Sequence, residues 1–202
     1  MAFASRPPSS PSSLRGQGRG GRDARPETPS EDPVDIARQI CLNQLEYAPR
    51  TRAELAATLR KKGIEEDVAE QVLSRFTEVG MIDDALFAQM WVTSRHRGKG
   101  LSGRALSQEL RRKGVADETA AEAVAAIDRD QELETARALV DRRLRSTTGL
   151  ATDARVRRLA GMLARKGYPA GVAFRVVREA LAAEGEEAEL AFDELQALED
   201  EP

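Results

Sequence analysis

The chain has 202 residues, 41% of them hydrophobic but only 4% aromatic, with 31 basic and 34 acidic residues and a net charge of −3. Any core must therefore be mostly aliphatic, and the abundance of Ala, Leu, Arg and Glu favours helix. The single cysteine, Cys41, excludes an internal disulfide and a cysteine-cluster metal site. No apolar run is long enough to cross a bilayer as a helix and none follows Met1 as a signal segment, so a cytoplasmic protein without membrane contact is expected.

Charge is segregated along the chain. Residues 184–202 carry nine acidic and no basic residues, whereas residues 33–183 carry 26 basic and 21 acidic ones, a net of +5. A basic body on an acidic chain points to an anionic partner and to an acidic tail that could shield it.

Residues 1–32 are rich in Ser, Pro, Gly and Arg, lack apolar periodicity, and are expected to form a disordered tail. Order is predicted to begin at Asp32-Pro33, a helix cap followed by proline at the first helical position. That helix turns Ile36, Ile40, Cys41 and Leu45 inward and ends before Pro49. Thr51-Arg-Ala-Glu54 is a capping box for a second helix, which carries Leu55 and Leu59 and stops at Arg60-Lys61-Lys62-Gly63. A third helix places Val68, Val72, Phe76 and Val79 on one stripe, and Gly80 closes it.

The same three-helix unit then recurs. Leu55-x3-Leu59-Arg-Lys-Lys-Gly63-Ile64 matches Leu106-x3-Leu110-Arg-Arg-Lys-Gly114-Val115 and Leu159-x3-Leu163-Ala-Arg-Lys-Gly167-Tyr168. In the helix after each glycine, Val68, Val72 and Leu73 align with Thr119, Ala123 and Val124, and with Val172, Val176 and Val177. Units that each bury part of an apolar face must complete one another's cores. The expected fold is all-α: a tandem array of three-helix repeats over 33–80, 81–129 and 130–183 in an elongated, curved body. Past 183 lies an acidic tail with a faint apolar pattern in Leu190, Phe192, Leu195 and Leu198, which either docks on the basic body as a helix or only solubilises it.

The densest stretch lies from Gly80 to Val115. Asp83 and Asp84 suit a helix start, and Leu86, Phe87, Met90 and Trp91 recur at helical spacing on what should be a core face. Arg95, His96, Arg97 and Lys99 follow, with Gly98 and Gly100 predicting a basic, permissive loop, before Ser102 caps the next helix.

The ordered set Ile82-Asp83-Asp84, Phe87-Ala88, Trp91-Val92, Arg95, Lys99-Gly100, Arg104, Glu109-Leu110 and Lys113-Gly114-Val115 closely resembles the signature of the RecX family, small regulators of the RecA recombinase. It departs from that pattern at Leu86, where a basic residue would precede Phe-Ala. The resemblance spans about residues 35–183. It implies a tandem helical-repeat fold and a non-enzymatic negative regulator. Such a regulator binds the RecA–DNA filament in its groove and inhibits filament growth, ATPase, strand exchange and coprotease activity.

The residues themselves carry no catalytic constellation. His96, the sole histidine, lies between Arg95 and Arg97 and reads as part of a basic surface. Asp83-Asp84 reads as a helix start rather than a metal site, and Gly98-Lys99-Gly100 lacks the frame of a phosphate loop. No enzyme, metal or cofactor is expected. The basic residues remain: Arg60, Lys61 and Lys62; Arg111, Arg112 and Lys113; Arg165 and Lys166, each group ending a helix before glycine. Repeated at one pitch they would form a cationic stripe, thickened by Arg95, Arg97, Lys99 and Arg104, which together are the expected surface for a filament or DNA. A monomer that also binds single-stranded DNA weakly, with duplex DNA as a further candidate, fits this layout. The alternative readings are a helix-turn-helix-like transcription regulator or a single-stranded DNA-binding scaffold. Acidic helix starts after Gly63 and Gly114 oppose a recognition helix.

Overall fold

A computed structural model describes residues 32–199, with side chains through residue 185. The expectations for residues 1–31 and for the apolar pattern of the acidic tail lie outside the described residues and side chains. Among the described residues, the secondary structure is helical, in three successive groups of three. The first group is α1 (Pro33–Tyr47), α2 (Arg52–Lys61) and α3 (Glu66–Glu78); the second is α4 (Asp84–Lys99), α5 (Gly103–Arg112) and α6 (Asp117–Ala125). The third is α7 (Arg129–Leu144), a short 3₁₀ turn (Arg145–Thr147), α8 (Thr152–Arg165) and α9 (Ala170–Glu199).

Local sequence explains most boundaries. Asp32 Oδ1 accepts the Val34 amide at 2.9 Å beside Pro33. Thr51 and Glu54 form the reciprocal capping box of α2, and Asp83 Oδ1 accepts the Leu86 amide at 2.8 Å. These contacts satisfy amides that a helix start leaves without partners. One boundary differs from expectation. Gly98 and Lys99 are not loop but the last turn of α4, which ends only where Gly100 turns left-handed at φ 62°.

Each group closes its own aliphatic core. Ala37, Cys41, Leu55, Leu59, Val72, Leu73 and Phe76 pack in the first. Phe87, Ala88, Val92, Leu106, Leu110, Val115, Ala120 and Ala123 pack in the second, and Ala136, Val140, Leu159, Leu163, Tyr168, Ala173, Val176 and Val177 in the third. Burial pushes the Cys41 thiol up to about 11, so it stays protonated and acts as a small apolar side chain. On α4 the core face is Phe87, Ala88, Val92 and, partly, Trp91. Leu86 and Met90, expected inside, are 51% and 45% exposed.

The groups join in series by one repeated device. The C-terminal turn of α5 sits on the first turn of α2. Thr51 Oγ1 donates to the Lys113 carbonyl at 2.6 Å, Lys113 Nζ meets Glu54 at 2.7 Å, and Asp84 Oδ1 accepts the Arg52 amide at 2.9 Å. In the second joint the C-terminal turn of α8 sits on the first turn of α5. The Ser102 amide donates to the Lys166 carbonyl at 2.9 Å, Glu132 Oε1 accepts the Gly103 amide at 2.7 Å, and Tyr168 Oη donates to the Gly100 carbonyl at 3.2 Å. The carbonyl end of one helix thus faces the amide end of another, so their dipoles align favourably. The series stops at both ends for visible reasons. Arg155 lies inside α8 at the aligned position where Thr51 and Ser102 are the N-caps of α2 and α5, because α8 begins a turn earlier. At the other end, Pro33 holds the place of Asp84 and Glu132, four residues before the buried Ala37, Ala88 and Ala136.

Candidate partner interface

The cations expected at the surface divide by what they touch. Lys113 and Lys166 are half-buried in the joints: Lys113 pairs with Glu54 and lies over the Phe87 and Trp91 rings, at 5.3 and 4.3 Å from their centroids. Lys166 Nζ donates to the Lys99 carbonyl. Burial, then the like charges of Arg142 and Lys99, hold its ammonium below the ordinary lysine range. Arg95 is also engaged, its guanidinium 4.2 Å from the Trp91 ring centre and 3.8 Å from Glu109, which accepts the Trp91 indole N–H at 2.8 Å. The Trp91 ring is thus covered by Arg95 and Lys113 and belongs to the fold. Arg111 is exposed but pairs with Asp117 at 2.6 Å.

The remaining expected cations are exposed, and among the described residues no ion pair engages them. Arg60, Lys61 and Lys62 end α2; Arg97, Lys99, Arg104 and Arg112 surround the ends of α4 and α5; Arg165 ends α8. The repeated Arg-Lys-Gly pattern therefore does two jobs. Its backbone and its second and third lysines build joints, while the arginines and the first copy's lysines stay in water.

Two features were not anticipated from the residues. His96 is buried: its Nδ1 lies 2.8 Å from the Leu101 carbonyl and its Nε2 3.1 Å from Thr135 Oγ1 on α7, tying the second group to the third. The 3.6-residue period turns it away from Arg95 and Arg97, a cue that adjacency in sequence hides. The other is apolar. Leu86 and Met90, with Gln89, Thr93, Ser94 and Arg97, line an open groove of about 510 Å³ on the outer face of α4.

Comparison with known proteins places this architecture. Three family models match in tandem: the first three-helix domain of RecX at residues 37–76, the second at 83–124 and the third at 130–177. The chain belongs to the RecX family. Regulatory protein RecX of Streptomyces coelicolor is 55% identical over 184 residues, covering 91% of this chain and 98% of that protein. Its counterpart from Thermobifida fusca is 54% identical over 169 residues, covering 83% and 91%. That from Mycobacterium avium is 47% identical over 162 residues, covering 80% and 94%. The crystal structure of RecX from Lactobacillus salivarius shares the fold, with a TM-score of 0.67 at 20% identity over 73% of this chain and 96% of that one. Leu86 is an exposed apolar side chain that lines the α4 groove together with Met90.

Proposed function

We propose that this chain is a non-enzymatic negative regulator of the RecA recombinase. It binds the recombinase filament on DNA in the filament's groove and inhibits its growth, ATPase, strand exchange and coprotease activity. Membership of a family of regulatory proteins is the ground for this reading. The observation that carries it furthest is the series of repeats, which presents separate groups of exposed cations at Arg60–Lys62, around Arg97, Lys99, Arg104 and Arg112, and at Arg165. A rigid series with several such groups suits a polymer. Once one group is bound the others act at high effective concentration, so individually weak sites sum to tight binding. The closed ends of the series favour a monomer over chains of copies. The site of action is the cytoplasm, where such a filament forms, and weak binding to single-stranded DNA, with duplex DNA a lesser ligand, accompanies the binding to the filament.

The transcription-regulator reading gains no support from the site. The helices that would enter a groove, α3 and α6, open with exposed Glu66 and Asp67, and with Asp117 and Glu118, which phosphates would repel. The test is the ATPase rate of RecA assembled on single-stranded DNA, with this chain added well below the RecA concentration. Inhibition at that ratio is expected; an unaffected rate even at molar excess rejects the proposal.

A further inference from the structure

A second cationic cluster lies in the third group of helices, between α7 and α8, and reaches at Arg165 the α8 turn that forms the second joint. Arg143 on α7, together with Arg158 and Arg165 on α8, lines a cavity of about 160 Å³ completed by Ser146, Thr147, Leu159 and Met162. Leu159 and Thr147 are buried and form its floor, while the three arginines are exposed at its rim. Thr147 is held in place: its hydroxyl donates to the Leu144 carbonyl at 2.6 Å and accepts from Arg155 Nε at 3.2 Å. Ser146 Oγ donates to the Arg143 carbonyl at 2.7 Å, which ties the 3₁₀ turn to the end of α7.

Among the described residues, no carboxylate pairs with Arg143, Arg158 or Arg165. The contrast with Arg155 on the same helix is direct, since Arg155 meets Glu184 at 2.5 Å. The like charges continue on either side, because Arg142 adjoins Arg143 and Lys166 adjoins Arg165. Arg142 and Lys99 together depress the Lys166 ammonium after burial has done so. Bringing cations together without counter-charge opposes folding; the helix dipole offsets part of this for Arg143 and Arg165, which lie in the last turns of α7 and α8, but not for Arg158 in the body of α8. Their planar donor forks match a tetrahedral oxyanion, and they converge from two helices on a cavity large enough to admit one.

We propose that this cavity binds a phosphate group, with Arg143, Arg158 and Arg165 as its donors. The phosphate belongs either to the backbone of a nucleic-acid strand or to a free phosphate compound. This shares Arg165 and, for a strand, the DNA binding with the proposed function, adds Arg143 and Arg158 as a defined phosphate site, and does not require the recombinase, so its test contains none and can fail while that reading stands.

The full chain is treated with phenylglyoxal, which modifies accessible arginines, and the modified positions are mapped by mass spectrometry. Treatment is repeated with a twelve-nucleotide oligothymidylate, with ATP, and with inorganic phosphate. Joint protection of Arg143, Arg158 and Arg165, with Arg38, Arg75 and Arg137 still modified, is expected. Protection by the oligonucleotide alone assigns the phosphate to a strand; protection by ATP or inorganic phosphate assigns it to a free compound. Absence of protection by all three, or protection spread evenly over all six arginines, overturns the proposal.

Affinity supplies an independent reading. The ligand that protects should bind the R143Q/R158Q/R165Q variant about tenfold more weakly or worse, and for the oligonucleotide the slope of log affinity against log salt should fall by about 0.7 for each phosphate no longer neutralised. The variant R38Q/R75Q/R137Q removes the same charge from arginines that pair with Asp35, Glu78 and Glu179, and should bind within about twofold of the parent chain. Equal losses in the two variants would reduce the effect to net charge and sink the site.

Discussion

The Leu101 carbonyl can only accept, so His96 Nδ1 must donate to it, and the second ring nitrogen is left for Thr135 Oγ1, which also reaches the Gln131 carbonyl at 2.9 Å. One imidazole therefore fixes the turn after α4 and holds α7 against it. Replacing it with alanine opens a cavity and strips a partner from two part-buried groups, the Leu101 carbonyl and the Thr135 hydroxyl, and should cost about 2–4 kcal/mol of stability. Denaturant unfolding of His96→Ala checks this. A loss below about 0.5 kcal/mol, the size usual at the surface, would return His96 to the exposed basic role that its neighbours Arg95 and Arg97 suggest. Sequence places this residue wrongly because neighbours in a helix point about 100° apart, and flanking charge says nothing of the face between.

At the scale of the helix, the joints make the clearest demand. Gly63 and Gly114 are aligned residues of the repeat and both have positive φ, 80° and 77°. An added Cβ at Gly63 meets nothing within 4 Å, whereas at Gly114 it falls 2.2 Å from Ala53 Cβ on the neighbouring α2. Gly63→Ala should thus cost only the left-handed backbone penalty, about 1–2 kcal/mol, and Gly114→Ala at least about 2 kcal/mol more as the joint is forced apart. Thermal unfolding of the two variants compares them directly; equal shifts in Tm would mean that α5 does not rest on α2. The glycines are legible in the sequence as helix stops, since a cap after Arg-Lys needs positive φ, and the repeat phase of Leu55, Leu106 and Leu159 is legible as three cores. The joints are not, because the pattern that ends a helix is the same whether the end faces water or another helix start. Asp84 and Glu132 are the available cue: each stands four residues before the buried alanine of its first helix, Ala88 or Ala136, and each caps the group before. Leu86 and Met90 mislead for a related reason. Four apolar residues at 86, 87, 90 and 91 span more of the helix circumference than one neighbour covers, and the partner α6 takes the Phe87 side.

At the scale of the molecule, the question is how an acidic tail acts on a basic body. The α9 helix runs unbroken from Ala170 to Glu199, so the acidic segment is carried onward from the third core by regular backbone and not by a hinge. A helix of that kind cannot fold back over the arginines of α7 and α8 without breaking, and its effect on an anionic partner must come chiefly through net charge. Truncation should start at residue 186, because Glu184 is the partner of Arg155 and its loss would disturb α8. Removing residues 186–202 deletes eight acidic and no basic residues and takes the chain from −3 to +5. Affinity for an oligothymidylate should rise severalfold at low salt, and the gain should shrink as ionic strength passes about 0.1 M, where screening acts over about 10 Å. An equal affinity of the two forms at low salt would show that the tail does not oppose anions. A gain that survives at high salt would instead require the tail to dock on the binding surface itself, and with it a break in α9, for which Gly185 is the natural place.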